Sequence, residues 1–333
     1  MPLIRRVDPR RHDDLHAWWS AGRAGADGRP FEAWRPWSDV RAAESVRDPE
    51  RERVLLLAEE DGTAVGAAQV QVDRRPEDPV AGVDVWVAPG SRRRGTGTRL
   101  LVAAEAEAVA LGRRVARCEV FSPTLAADGV PGLAFAAARG YRIVHQEQTN
   151  VVEMDEFLHR ASALAAEVAA HVGDHRIVTF ESVPAEHLSA YGRMLSVLYS
   201  QVPTGELTLE DSPWDPARVR AWDAYQAAAG RRQVQGIALT PDGELVGVTG
   251  LVVPVAEAST ARVGVTLVHP DHRGHRLGLA LKLATHEALH AAHPECRRVV
   301  TSNAVQNDPM LAINTALGYT TRDYSHETER TLL

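Results

Sequence analysis

The sequence predicts an α/β (α+β) protein made of two tandem copies of one domain, and three observations carry that expectation. Its 333 residues are material for two domains at roughly 100–200 residues each. Asp61-Gly62-Thr63-Ala64-Val65-Gly66 has a counterpart in Asp242-Gly243-Glu244-Leu245-Val246-Gly247, an offset of 181, which also pairs Val87-Ala88-Pro89, Arg92 and Gly97 with Val268-His269-Pro270, Arg273 and Gly278. Gly140-Tyr141 pairs with Gly318-Tyr319 at the neighbouring offset of 178. A period near 180 is far too long for a solenoid, so the chain reads as copies over 1–155 and 175–333, joined by an Ala-rich linker helix over 156–174.

The element order is the same in both copies. A β-branched strand opens each (Ile4–Val7; Ile177–Val183), and a helical region rich in tryptophan follows. Hairpin strands come next, Arg53–Glu59 with Ala64–Asp73 and Val234–Thr240 with Glu244–Val253, each joined across Asp-Gly, a dipeptide suited to a tight turn because glycine tolerates positive φ. Then come a strand (Gly82–Val87; Arg262–Val268), a Gly/Arg-rich turn, a helix (Gly97–Leu111; Gly278–Ala291), a strand (Arg114–Phe121; Arg298–Asn303), a short helix ending at Gly140 or Gly318, and a last strand.

Composition narrows the function. With 44% hydrophobic and 24% charged residues the chain has a core, which excludes disordered and collagen-like classes. Net charge is −7, without the basic footprint of a nucleic-acid binder, so a cationic small-molecule amine is the expected partner. Met1-Pro2-Leu3-Ile4-Arg5-Arg6 runs into Asp8, Asp13 and Asp14 without an apolar stretch, and no run of 18 apolar residues occurs. The expectation is a protein that is neither secreted nor membrane-spanning. Cys118 and Cys296 lie far apart, giving a disulfide framework no support and making a reducing cytoplasm the expected compartment. Lys282, the single lysine beside abundant arginine, reads as a coding bias.

The sharpest local signal is Val87-Ala88-Pro89-Gly90-Ser91-Arg92-Arg93-Arg94-Gly95-Thr96-Gly97-Thr98, an apolar strand end, a turn, and Arg-x-x-Gly-x-Gly opening a helix. Glycines let a backbone approach an anion, and the first helical N–H groups are unpaired donors at the positive end of the dipole. The arrangement suits phosphate, with a capped turn bearing solvated arginines as the plainer reading. It has neither Rossmann nor P-loop spacing.

Here the sequence resembles the GCN5-related N-acetyltransferase (GNAT) family, whose signature is Arg/Gln-x-x-Gly-x-Gly/Ala after a strand ending in Val. Copy one matches through Arg92, Gly95 and Gly97. Copy two reads Arg273-Gly274-His275-Arg276-Leu277-Gly278, with Arg276 in place of the middle glycine, and continues through Asn303, Asn307, Asn314 and Gly318-Tyr319. That longer pattern is similar to actinobacterial tandem acetyltransferases of the mycothiol-synthase type. The resemblance implies the acyl-CoA N-acyltransferase fold twice over, each a mixed, mostly antiparallel sheet flanked by helices, with acetyl-CoA as co-substrate and no metal. It further implies that the amides of Arg93, Arg94, Gly95, Thr96, Gly97 and Thr98, and of Gly274, His275, Arg276, Leu277, Gly278 and Leu279, hold the coenzyme's pyrophosphate, with Arg92 and Arg273 starting each cradle. The N–H of Val87 or Val268 would polarise the thioester carbonyl, and Asn303 and Asn307 would contact the pantetheine.

Acetyl transfer needs a neutral amine, a base for its proton and a proton source for the thiolate. The tyrosine that many family members carry four residues before the glycine closing the short helix is replaced by Ala136 and Asn314, and the frequent glutamate before the strand-end valine by Ala81 and Arg262. Asp84 and Glu119 are the candidate bases of copy one, and Tyr324 the candidate acid of copy two. Richer family context favours copy two for the chemistry, with cofactor binding in both. Trp18, Trp19, Trp34, Trp37, Trp214 and Trp222 fit acceptor walls or packing between domains.

His286-Glu287-Ala288-Leu289-His290 matches His-Glu-x-x-His, a zinc pattern, although no third ligand follows at the usual spacing. The expected function is transfer of acetyl, in a ternary complex, to the amine of a small metabolite or antibiotic-like acceptor. Mycothiol-synthase-like acylation, a non-catalytic acyl-CoA sensor and, remotely, a zinc peptidase are the alternatives. Monomer and homodimer both fit.

Overall fold

The computed structural model describes residues 2–26 and 34–332; Met1, Leu333 and residues 27–33 of the first helical region lie outside the described residues. The elements run β1 (Leu3–Arg6), α1 (His12–Gly25), α2 (Trp37–Glu44), β2 (Arg51–Glu60), β3 (Thr63–Asp73), β4 (Val80–Val87), α3 (Thr96–Ala110), β5 (Val115–Ser122), α4 (Pro131–Ala137) and β6 (Arg142–Glu153). They continue with α5 (Met154–Ala169), β7 (Arg176–Phe180), α6 (Leu188–Ser196), α7 (Leu198–Gln201), α8 (Pro216–Ala228), β8 (Arg231–Leu239), β9 (Leu245–Pro254), β10 (Thr260–Val268), α9 (Leu277–Ala292), β11 (Arg298–Ala304), α10 (Asp308–Ala316) and β12 (Thr320–Thr331). The expected α/β fold is present in both halves.

Two compact units form, one from Met1–Gln146, Gly205–Thr208 and Asp323–Leu333, the other from Glu147–Thr204 and Leu209–Arg322. In the first, β1, β2, β3 and β4 pair antiparallel in succession. Asp61 and Gly62 both take positive φ (52° and 76°) at the β2–β3 turn, the mirror-image turn whose twist matches the strands it joins. Helix α3 spaces Leu100, Leu101, Ala104 and Ala108 on one stripe, which packs on Val70, Val72, Ala81 and Val83. On the opposite face Leu15 and Trp18 of α1 pack on Leu55, Leu57 and Ala67. The second unit repeats the plan, with α9 against β8 and β9 on one face and α6 and α8 on the other.

The boundaries differ from the expected 1–155 and 175–333 in one respect with wide effect: each unit's last strand comes from the other copy. β12 pairs antiparallel with β5 from Tyr324↔Ser122 to Thr331↔Val115, whereas Glu147–Glu153 of β6 pairs with β11. The Ala-rich stretch between the copies forms helix α5, whose Phe157, Ala161 and Leu164 are buried with Leu279, Leu283 and Val299.

A buried ionic knot fixes β12 in the first unit. Glu329, 5% exposed, accepts from Arg117 at 2.7 Å, from the Thr208 amide at 3.0 Å and from the Thr208 hydroxyl at 2.8 Å. Arg117 also donates to the Thr208 carbonyl at 2.8 Å. Removing one partner of such a group leaves the others desolvated and unpaired, so Glu329→Ala should cost about 2–4 kcal/mol. Chemical denaturation of the variant against wild type measures that loss.

Candidate functional site

Parallel pairing between β4 and β5 spans only Val80↔Val115 to Gly82↔Arg117. In the second copy β10 and β11 pair only from Thr260↔Arg298 to Arg262↔Val300. Beyond those three residues the strands part, and each opening is bounded by the C-terminal half of β4 or β10. The register gives that edge its chemistry. Ala88 N–H donates to the Val65 carbonyl at 3.1 Å and His269 N–H to Val246 at 2.8 Å, so Val87 and Val268 are the alternate, non-bonded positions of their ladders. Their N–H groups therefore face away from β3 and β9, toward the openings. Both strand-end valines thus present a backbone N–H to the opening.

The loops that follow are built alike from unlike residues. Arg92 Nε donates to the Val87 carbonyl at 3.0 Å and Arg273 Nε to Val268 at 3.2 Å, folding each loop back on its strand. Second bonds lead from Arg92 to the Gly25 carbonyl at 3.0 Å and from Arg273 to Gln201 at 3.1 Å. Each loop has two left-handed residues at matching positions, Arg93 (φ 63°) and Gly95 (φ 83°) in one, Gly274 (φ 89°) and Arg276 (φ 56°) in the other. One glycine and one arginine serve each loop, in opposite order. Arg276 is therefore no defect in the cradle: it adopts the required backbone, and its guanidinium pairs with Glu167 at 2.8 Å. The helices start directly after these residues, and neither Gly95 nor Arg276 makes a side-chain cap. The amides of Thr96–Thr98 and Leu277–Leu279 lie in the first turns, which have no intrahelical acceptors. A Cβ on Gly95 or Gly274 would meet open space, so room for a diphosphate exists above both turns. Residues Arg92–Gly95 and Arg273–Arg276 are exposed. Arg139, which donates to the Thr98 hydroxyl and lies over the Phe135 ring at 3.9 Å, adds a cation to the first cradle that no sequence motif marked.

Titratable groups gather in the first opening. Asp84 lies on β4 three residues before Val87, half-buried, and loss of solvent, reinforced by the Glu327 carboxylate, raises its carboxyl to about 7. Glu327 is on β12, opposite Glu119 of β5, and lies 3.6 Å from Arg117. Its sequence position, far from copy one, gave no sign of this. Glu119 is exposed on its strand. Tyr324, expected as an acid for copy two, pairs opposite Ser122 of β5 and belongs to the first unit; the exchange of last strands moved it. Ser122 and His326 also meet there at 3.0 Å, yet the serine hydroxyl donates to the Thr124 carbonyl and Gln146 donates to His326 Nδ1 at 2.9 Å. That pattern leaves the imidazole Nε2–H giving a proton bond to serine, the reverse of an activated nucleophile.

In the second copy Asn303 accepts from Asn314 at 2.7 Å, and Asn307 caps α10 by accepting from Met310 N–H at 3.3 Å. Asn307 thus has a structural role of its own. His286 is fully enclosed, with Nδ1 on the Lys282 carbonyl at 2.6 Å and Nε2 on the Tyr319 hydroxyl at 2.7 Å. Both nitrogens are committed, so His286 and His290 do not turn to a common ion, and among the described residues no group of three metal-ligating side chains converges. Helices long and apolar enough to cross a membrane are absent among the described residues.

Residues 13–141 match the Acetyltransferase (GNAT) family. A tandem GNAT protein from the clavulanic acid biosynthesis pathway superimposes with a TM-score of 0.81 at 25% identity, covering 99% of this chain and 98% of that one. The chain has the tandem GNAT fold. A GCN5-related N-acetyltransferase from Sphaerobacter thermophilus (TM-score 0.67, 17% identity, 99% and 95% covered) and a putative acetyltransferase from Pyrococcus horikoshii (0.57, 13%, 100% and 90%) share that fold. No curated protein matches the sequence. The family model over the first copy implies an acyl-CoA co-substrate there, and the first-turn amides and open left-handed loops of both copies have the form that a diphosphate requires.

The tryptophans of the first GNAT copy pack on one another, Trp34 edge-on to Trp86 at 4.6 Å between ring centres, and α1 closes tightly on β4. A Cβ placed on Gly25 would lie 2.7 Å from the Val87 nitrogen and 2.6 Å from Trp86 Cβ. Gly25→Ala should therefore force α1 and β4 apart and lower stability by about 1–3 kcal/mol, the cost of overpacking; chemical denaturation measures it. In the second copy Arg276→Gly relieves a left-handed non-glycine residue, worth about 1 kcal/mol, against loss of an exposed ion pair worth less. Denaturation should show a small gain in stability, and calorimetry unchanged acetyl-CoA binding.

Proposed function

We propose that this tandem GNAT protein is an acetyl-CoA-dependent N-acetyltransferase for a small cationic amine, with the chemistry in the first copy and coenzyme binding in both. The observation that carries the reading is Asp84: a carboxyl raised to about 7 by burial and by Glu327, on the strand whose end supplies the Val87 N–H, at the start of an intact cradle. A base poised near neutrality takes a proton efficiently at working pH. In a ternary complex the amine nitrogen attacks the thioester carbon while its proton passes to Asp84. The developing oxyanion meets the Val87 N–H, and collapse breaks the C–S bond, the thiolate taking up a proton. Tyr324 of β12 is the proposed donor for that last step. The chain's negative charge and the Asp84–Glu327–Glu119 group favour a cationic acceptor.

Turnover is tested by thiol release from acetyl-CoA across a panel of metabolite, aminoglycoside-like and cysteinyl-sugar amines. The last class covers the mycothiol-synthase alternative. Acetyl-CoA binding without turnover of any amine would favour the sensor reading; absence of binding in wild type, where Gly97→Glu and Gly278→Glu should each remove one site, would overturn both. Asp84→Asn should lower the rate about 10²–10⁴-fold, and the wild-type rate should rise with pH through about 7 as the base deprotonates. Stability should move oppositely. The native carboxyl retains its proton up to about 7, while the unfolded one loses it near the ordinary value of ~4, so wild type loses stability between those values as pH rises. Asp84→Asn should remove that loss, and thermal melts at pH 5 and pH 8 compare the two proteins.

A further inference from the structure

Lys282, the chain's single lysine, is 1% exposed in the middle of α9. Its ammonium has one hydrogen bond, to Asn314 Oδ1 at 2.5 Å, and sits 5.0 Å from the Tyr319 ring centre. The groups facing it are the Asn314 amide from α10, the Tyr319 phenol ahead of β12, and His286 on its own helix, which burial and the lysine charge keep neutral. No carboxylate bonds to it among the described residues. The next bond in line is Asn314 Nδ2 to Asn303 Oδ1 at 2.7 Å, and Asn303 stands on β11 beyond its last pair with β10. In the first copy the matching positions are Leu101 and Ala136, so the chain of polar groups belongs to copy two alone.

An ammonium can only donate. It therefore holds Asn314 with Oδ1 toward the lysine and Nδ2 toward Asn303, which uses the Asn303 oxygen and leaves the Asn303 Nδ2 donor for a ligand. We infer that Lys282 is a positioning residue for the second copy, fixing through Asn314 whether Asn303 offers a hydrogen-bond donor or an acceptor to an amide-bearing ligand such as the pantetheine arm of an acyl-CoA. A neutral amine can accept. Asn314 can then reverse, Asn303 reverses with it, and its oxygen replaces its NH₂ as the group offered. Burial lowers the lysine to about 7, which puts this reversal within the ordinary working range. The ligand half of the inference rests on the reading that copy two binds acyl-CoA; the relay itself does not.

The relay is tested in ligand-free protein by following asparagine side-chain NH₂ resonances from pH 5.5 to 8.5, assigned with Asn303→Ser and Asn314→Ser. Two should titrate together near pH 7 in wild type and stay flat in Lys282→Met, which substitutes an apolar side chain of similar length. Persistence of the titration in Lys282→Met, or its absence in wild type, overturns the relay. Ligand binding is tested by acetyl-CoA calorimetry with the first cradle blocked by Gly97→Glu. Affinity should fall about tenfold from pH 6 to pH 8, and Lys282→Met should remove that dependence. Should Lys282→Met fail to fold, Asn303→Ser cuts the relay at its outer end and should flatten binding against pH while the Asn314 amide still titrates. A relay that titrates in a protein whose second copy binds no acetyl-CoA would overturn the ligand half alone.

Discussion

A ladder that stops after three residues organises both halves of this molecule. Where β4 leaves β5, and β10 leaves β11, the sheet exposes backbone donors that a continuous sheet would consume. Everything assigned to function lies at these two gaps: the strand-end amides, the loops that turn back over them, and the side chains aimed between the strands. A parallel pair tolerates such parting because helices cover both faces; here α3 and α9 hold the strands from one side while α1 and α6 hold them from the other.

The two copies have kept that frame and diverged in what fills it. Their loops show how loosely a sequence motif and a backbone conformation are coupled. Two left-handed residues are required; which of them is glycine is not, because an arginine held outward by Glu167 serves the second loop. Side chains in the gaps diverged further. Carboxylates stand at the first, and an amide–amide–ammonium line at the second. Proton transfer suits the first set, and fixed hydrogen-bonding polarity the second.

Much of this was legible in the residues. The offset of 181 exposed the duplication because strands, turns and cradle recur in one register, and Asp61-Gly62 marked its hairpin as one of the few dipeptides that take two positive φ angles at low cost. Asp84, Val87 and the cradle were readable as local neighbours. Partnerships between distant segments were not. Nothing within copy one announces Glu327 or Tyr324, since pairing of β12 with β5 is a matter of which strand is nearer in space. Lys282 looked like a codon accident until its neighbours Asn314 and Tyr319, thirty and more residues on, were seen around it. His286-Glu287-x-x-His290 shows the converse: helical spacing sets the angle between two side chains, while the core decides which way the pair turns.

The exchange of last strands has a consequence in time. During synthesis the first half emerges with β5 unpaired on one edge, and the strand that pairs with it is made about 200 residues later. The first unit must wait for β12, so the chain departs from the usual order in which domains fold one after another as they appear, and this long-range closure comes late. A nascent or prematurely ended chain would display an open sheet edge, the surface most prone to pair with a neighbour. A gene carrying either half alone encodes a domain short of a strand, which ties the two copies together more firmly than any linker does.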